Sequence, residues 1–155
     1  MRLPLYFDDL EVGQRWDLPG RTVTETDLVS FAMLSGDWNP IHTDETFAAS
    51  SHFGTRVVYG LLGVVMLTGF LDRSGLFTGS AVAALGIKDW QYKKAFFIGD
   101  TIRGRLEIVG LRLTSSGTQG VVERHFTLLD QHDDVVSEGR LDSMIRVSPE
   151  AVILA

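Results

Sequence analysis

The segment SGDWNPIHTD, residues 35–44, holds a carboxylate at Asp37, an amide at Asn39 and an imidazole at His42. Carboxylates and imidazoles are the side chains enzymes use most to pass protons to and from a reacting group. Pro40 fixes its own φ and drives Asn39 towards an extended conformation. The polar groups therefore sit on a stiff loop that holds them in fixed directions, which favours a site. The same residues also suit a turn between two helices, with Asp37 and Asn39 bonded to nearby backbone and His42 at the surface. Spacing alone leaves both readings open.

A second candidate is Gly60, within the uncharged stretch 57–71. The first N–H groups of a helix have no intrahelical partner and carry partial positive charge, and a glycine there lets a substrate carbonyl come close. Such a donor stabilises a developing enolate oxygen. Gly60 and Gly63 would equally serve close packing.

These residues need elements to hold them. A first strand ends near Gly20 to Thr24. TETDLVSFAMLSG then predicts a helix with Thr24 as cap and Asp27 at the third position, closed by Gly36. Asp44 caps a short helix through Phe47 and Ala48 that ends before Gly54. VVYGLLGVVMLTGFLDRSG predicts a long helix from about Gly60 to Arg73, apolar all round and so wrapped by other elements. Segments near 82–94, 101–114, 118–130 and 134–147 read as strands, parted by the turn signals IGD, SSGTQG and QHDD. The expectation is an α+β fold, one antiparallel sheet wrapped around one apolar helix. Its exposed edge strand calls for a second copy, so a homodimer or a dimer of dimers follows.

The run TETDLVSFAMLSGDWNPIHTDETFAASSHFGTRVVYGLL resembles the signature of the MaoC-like dehydratases, the (R)-specific enoyl-CoA hydratase family with a hot-dog fold. SGDWNPIHTD, Ala48, Phe53-Gly54 and Gly60 all fall in that family's spacing, and KKAFFIGDTIRG resembles its later strand and turn. The resemblance implies that Asp37 and His42 are the catalytic pair, Asn39 the orienting amide and Gly60 N–H the oxyanion hole. It further implies interconversion of a trans-2-enoyl thioester and its (R)-3-hydroxyacyl partner, carried on coenzyme A or an acyl carrier protein. Coenzyme A would be part of the substrate, and no separate cofactor is implied. Two positions depart from the pattern. Tyr59 stands where the family has histidine, which bears on pocket shape or substrate preference, and Ala95-Phe96, read as lying within a strand, replaces Pro-Val.

Other candidates are weaker. Lys93 and Lys94 would either meet coenzyme A phosphates or face solvent from a strand. Trp38, Trp90, Phe96 and Phe97 line an acyl pocket or serve the core. His52, His125 and His132 show no metal-ligand spacing, so no metal is expected, and no dinucleotide or phosphate-loop fingerprint occurs.

Composition narrows the classes. The 155 residues suit one domain, 1–155, and are 45% hydrophobic and 22% charged, as in globular proteins. A net charge of −6 offers no footprint for nucleic acid. The absence of cysteine excludes disulfides and thiolate chemistry and fits a cytoplasmic setting. No signal peptide or membrane span is expected. Two rivals to the hydratase share the scaffold. A thioesterase needs a carboxylate on or beside the central helix, and stretch 57–71 has none. A non-catalytic acyl-thioester-binding subunit would treat Tyr59 as the mark of a lost site.

Overall fold

The computed structural model describes residues 3–150, so the ends of the expected 1–155 domain lie outside the described residues. Five strands, β1 (Arg15–Thr22), β2 (Ala81–Tyr92), β3 (Thr101–Leu113), β4 (Gln119–Leu129) and β5 (Val135–Arg146), form one antiparallel sheet in the order β1-β3-β4-β5-β2. Hairpins join β3 to β4 and β4 to β5, with Arg105 opposite Thr127 and His125 opposite Arg140. Strand β2 closes one side of the sheet by pairing only with β5.

The described residues also form four α-helices, α1 (Glu25–Ser35), α2 (Pro40–Thr43), α3 (Glu45–Ala49) and α4 (Gly60–Ser74), and a 3-10 turn at Phe7–Asp9. The carboxylate of Asp27 turns back to accept a bond from Thr24 N–H at 2.8 Å, which secures the start of α1. Left-handed Gly36 (φ 74°) and Gly75 (φ 71°) end α1 and α4, a conformation in which a Cβ would be strained. The long helix thus falls where its sequence puts it, and it buries Leu62, Val64, Met66, Leu67 and Phe70. Each such side chain contributes roughly 1.5–3 kcal/mol on burial. Close approach of helix and sheet depends on glycine. A Cβ at Gly63 would lie 2.8 Å from Leu128, and one at Gly104 would lie 2.7 Å from Leu67.

The sheet wraps α4 as expected, with β1, β3 and β4 packed against it, while Leu61, Val65, Thr68 and Gly69 on its other face remain exposed. Two expectations need correction. Residues 40–43 are a helical turn rather than a plain loop, since Asn39 caps it and Pro40 needs no N–H at its first position. Ala95, Phe96, Lys93 and Lys94 lie beyond the end of β2, in the connection to β3, and not within a strand. Among the described residues no helix is long and apolar enough to cross a membrane.

Candidate active site

The candidate pair Asp37 and His42 sits on the strip formed by α1, α2 and α3, outside the sheet. After Gly36 the chain runs out to Asp37, whose N–H donates to Ser35 Oγ at 3.2 Å and whose Oδ1 accepts from Asn39 N–H at 3.1 Å. Asn39 Oδ1 in turn accepts from Ile41 N–H at 3.1 Å, so the amide is committed to starting α2. It caps the helical turn that carries His42, and it is not part of the cavity wall described below. The turn features of a structural role are therefore present, and they fix the segment that carries Asp37 and His42.

His42 Nδ1 lies 2.7 Å from Val57 O. A carbonyl oxygen can only accept, so Nδ1 holds the proton and Nε2 of the neutral ring keeps a lone pair for substrate or water. The other side of the ring is covered by Tyr59, with centroids 3.9 Å apart and planes at 31°. Phe31 packs against Tyr59 in turn, at 4.8 Å. The Tyr59 hydroxyl donates to the backbone oxygen of Asp37 at 2.7 Å. Burial, followed by the nearby Asp37 charge, pushes this phenol above its ordinary pKa, so it remains a neutral donor.

Tyr59 is also the residue before α4, and its φ/ψ of −58°/128° is non-helical. Gly60 follows as the first helical residue, and its N–H has no hydrogen-bond partner among the described residues. The side chain of Tyr92 lies close over it: a Cβ at Gly60 would meet Tyr92 Cε1 at 2.6 Å. Asp37, His42, Tyr59 and Gly60 all border one cavity of about 430 Å³, closed on other sides by Phe31, Phe53, Phe96 and Val136. An unpaired helix N–H, a carboxylate and an imidazole with a free nitrogen therefore face one apolar-walled space. That set can hold a carbonyl oxygen while a proton is moved.

The remaining candidates separate. Lys93 and Lys94 border the cavity. The ammonium of Lys94 is held by Asp130 at 2.7 Å and Asp134 at 2.6 Å, which raise its pKa above the ordinary lysine value. Lys93 bonds Gln91 and reaches Glu138 at 3.4 Å. A phosphate would have to compete with these carboxylates, most severely at Lys94. Of the four aromatic candidates, Phe96 alone enters the cavity wall, and it belongs to the core as well.

Two contributors escaped the sequence reading. Ser137 Oγ is buried at the cavity wall with no hydrogen-bond partner among the described residues. It lies on β5 in a row whose apolar alternation is broken by a hydroxyl. Arg56 joins Glu25 of α1 at 2.6 Å and Glu45 of α3 at 2.9 Å, closing a brace around the segment that carries Asp37 and His42. Its place three residues ahead of Tyr59 gave no local signal of that role.

The MaoC like domain family model matches residues 9–128. Over 65% of its length the chain is 37% identical to the MaoC protein of Klebsiella aerogenes, of which it spans only 30%. It is 32% identical to the (R)-specific enoyl-CoA hydratase of Rhodospirillum rubrum over 68% of this chain and 71% of that one. A solved Mycobacterium tuberculosis protein with a double hotdog fold superposes with a TM-score of 0.82 at 26% identity, covering 97% of this chain and 47% of its own. On sequence and on the sheet curled about α4, the chain belongs to the MaoC-like dehydratase family and has its hot-dog fold.

Proposed function

We propose that the chain is a hydro-lyase that adds water across the double bond of a trans-2-enoyl thioester to give the (R)-3-hydroxyacyl thioester, and catalyses the reverse dehydration. The observation that carries this is the common cavity of Asp37, His42 and the unpaired Gly60 N–H. With the thioester carbonyl on Gly60 N–H, Asp37 and His42 grip one water at C3. The water oxygen bonds to C3 as one of its protons passes to the pair, and the C2=C3 electrons move onto the carbonyl oxygen as an enolate. Gly60 N–H holds that charge until C2 takes the proton back from the pair, so one water enters and nothing leaves. His42 Nε2 is suited to the exchange because Val57 O keeps the ring proton on Nδ1.

Coenzyme A is the proposed carrier, with Lys93 the freer of the two lysines at the cavity mouth. A homodimer is proposed as the working form. The outer side of β2 is unpaired, and Val82, Leu85 and Ile87 on it are exposed beside Leu61 and Val65 of α4. The thioesterase alternative has less support, because the acidic residue on α4 is Asp72, at the end far from Gly60. The test is loss of enoyl-thioester ultraviolet absorbance with chiral analysis of the product. Release of free thiol instead of hydration would replace this reading with the thioesterase, and tight binding without turnover would replace it with the non-catalytic binder.

A further inference from the structure

The burial pattern of β4 alternates, and its buried row runs Gly120, Val122, Arg124, Phe126, Leu128. A guanidinium thus sits among apolar residues, and Arg124 is only 7% exposed. Its Nε donates to Leu141 O at 2.9 Å, and its planar group lies over Phe77 and Phe126, 5.6 and 5.4 Å from their ring centroids. Nη1 and Nη2 have no hydrogen-bond partner among the described residues. The neighbouring Asp142 is already engaged by Arg140 at 2.7 Å and Lys88 at 3.0 Å. Burial pushes the Arg124 pKa down to about 10, so the group is still charged at neutral pH.

Those free donors are not sealed in the core. They border a groove between α4 and β2 made of two adjoining chambers of about 290 and 350 Å³, both walled by Thr68, Leu71 and Ala84. Val64 and Val65 line it nearer the start of α4, and Val65, Val82 and Ile87 of its rim also belong to the face proposed above for a second copy, so in a dimer the groove lies at the subunit contact. The groove therefore lies along the same helix whose first residue borders the catalytic cavity. At about 1.5 Å per residue, Gly60 to Thr68 is roughly 12 Å, the scale of a medium-length acyl tail.

We propose that this groove receives the far end of the acyl substrate and that Arg124 binds a carboxylate there, making the substrate class the monothioesters of 2-enedioic acids. This rests on the hydratase reading of the cavity. An uncharged tail filling the groove would displace water from four N–H donors and give them nothing in return, a cost paid by any buried polar group left without a partner. A carboxylate matches the guanidinium fork with two parallel charge-assisted bonds. Phe77, Phe126 and Leu141 O hold the fork in place, so little ordering is left for the ligand to impose.

The experiment compares kcat/KM for 2-enedioic mono-CoA thioesters and uncharged 2-enoyl-CoA thioesters over a series of matched chain lengths. Binding of their saturated, unreactive counterparts is measured by calorimetry. The wild type should favour the acid-ended series by at least about 10-fold, a modest threshold beside the ~10⁴-fold by which sites built to bond a polar group reject analogues lacking it. Arg124→Met should move the ratio of the two series by the same factor towards the uncharged one, and Arg124→Lys should keep part of the preference. Equal values for the two series, or equal losses in both on substitution, would overturn the inference. So would an Arg124→Met effect confined to the sedimenting mass, which would assign the residue to a subunit contact. Free dicarboxylic acids binding through Arg124 with no preference among thioesters would assign the groove to a free acid instead. Binding preference without turnover sinks the hydratase reading and leaves the carboxylate site, whereas turnover without preference does the reverse.

Discussion

Tyr59 touches both Asp37 and His42: its hydroxyl donates to the Asp37 backbone at 2.7 Å while its ring lies against His42 at 3.9 Å. Tyr59→Phe keeps the stack and removes the bond. Loss of one such bond costs about 0.5–1.5 kcal/mol of stability, so the melting temperature should fall by about 2–4 °C per kcal/mol lost, and kcat should fall as the Asp37 backbone loses its anchor. Tyr59→His should remain active with altered relative rates across acyl chains. Activity appearing only in the histidine variant would identify the wild type as a binder.

Asp37→Asn and His42→Ala should each slow hydration by at least about 10²-fold, the usual scale for a positioned acid or base. Their effects should not multiply in the double variant, because the two would handle one water as a unit. Full activity in both single variants refutes the mechanism. Loss of activity together with a lowered melt would return both residues to a structural turn.

Gly60→Ala places a methyl group 2.6 Å from Tyr92. Tyr92 is exposed and free to swing aside, so stability should change by less than about 1 kcal/mol, well under the usual cost of overpacking a closed core. The displaced ring and the added methyl narrow the corner where the thioester oxygen would sit. Kinetics should show a raised KM and a reduced kcat with a near-normal thermal melt, and unchanged kinetics would remove Gly60 N–H from the mechanism.

Asp27 accepts two bonds from Arg21, at 2.6 and 2.7 Å, and these, against burial and with help from Thr24, hold its carboxyl far below the usual range. A depressed carboxylate pKa stabilises the fold above the unfolded value of about 3.9 and loses that contribution as pH falls further. Asp27→Asn should therefore cost about 1–2 kcal/mol at neutral pH, the range of a lost helix cap. The gap between variant and wild type should close below pH ~4 in denaturant titrations. A gap independent of pH would show that the charge is not its source.

Sedimentation should give at least twice the 17.1 kDa chain mass. Leu85 is exposed on the edge strand β2, and Leu85→Lys should shift the mass towards a monomer by setting a charge in the contact. A wild-type monomer at micromolar concentration would refute the dimer.

Much of this was legible because the signals were redundant. Helix α1 is announced by Thr24 and Asp27 at one end and Gly36 at the other, and α4 by fifteen residues whose apolar character admits few alternatives. Helix α2 was missed because four residues are too few to show a period, although Asn39-Pro40 is a cap followed by a first-turn proline. The site residues were visible as types but not as a network, since the bond from Tyr59 to Asp37 spans 22 positions and the Arg56–Glu25 pair spans 31. Arg124 left a local trace, a charge on the buried phase of an alternating strand, which the separation into strands and turns passed over.

Asp37 and His42 ride on a strip whose large side chains are mostly outside the main core: Leu28 and Ala32 anchor α1 and Ala48 anchors α3, while Met33, Leu34, Trp38 and Phe47 are exposed. The sheet and α4 hold the fold together beneath it. Substitutions that alter reactivity and substitutions that alter stability should consequently fall on largely separate residues. A lineage carrying this scaffold can alter the strip to suit a new acyl group without spending the fold's margin, and can drift in the core without retuning the chemistry. The exception is the junction at Tyr59 and Gly60, where the strip meets the helix, so change there should be the most constrained of all.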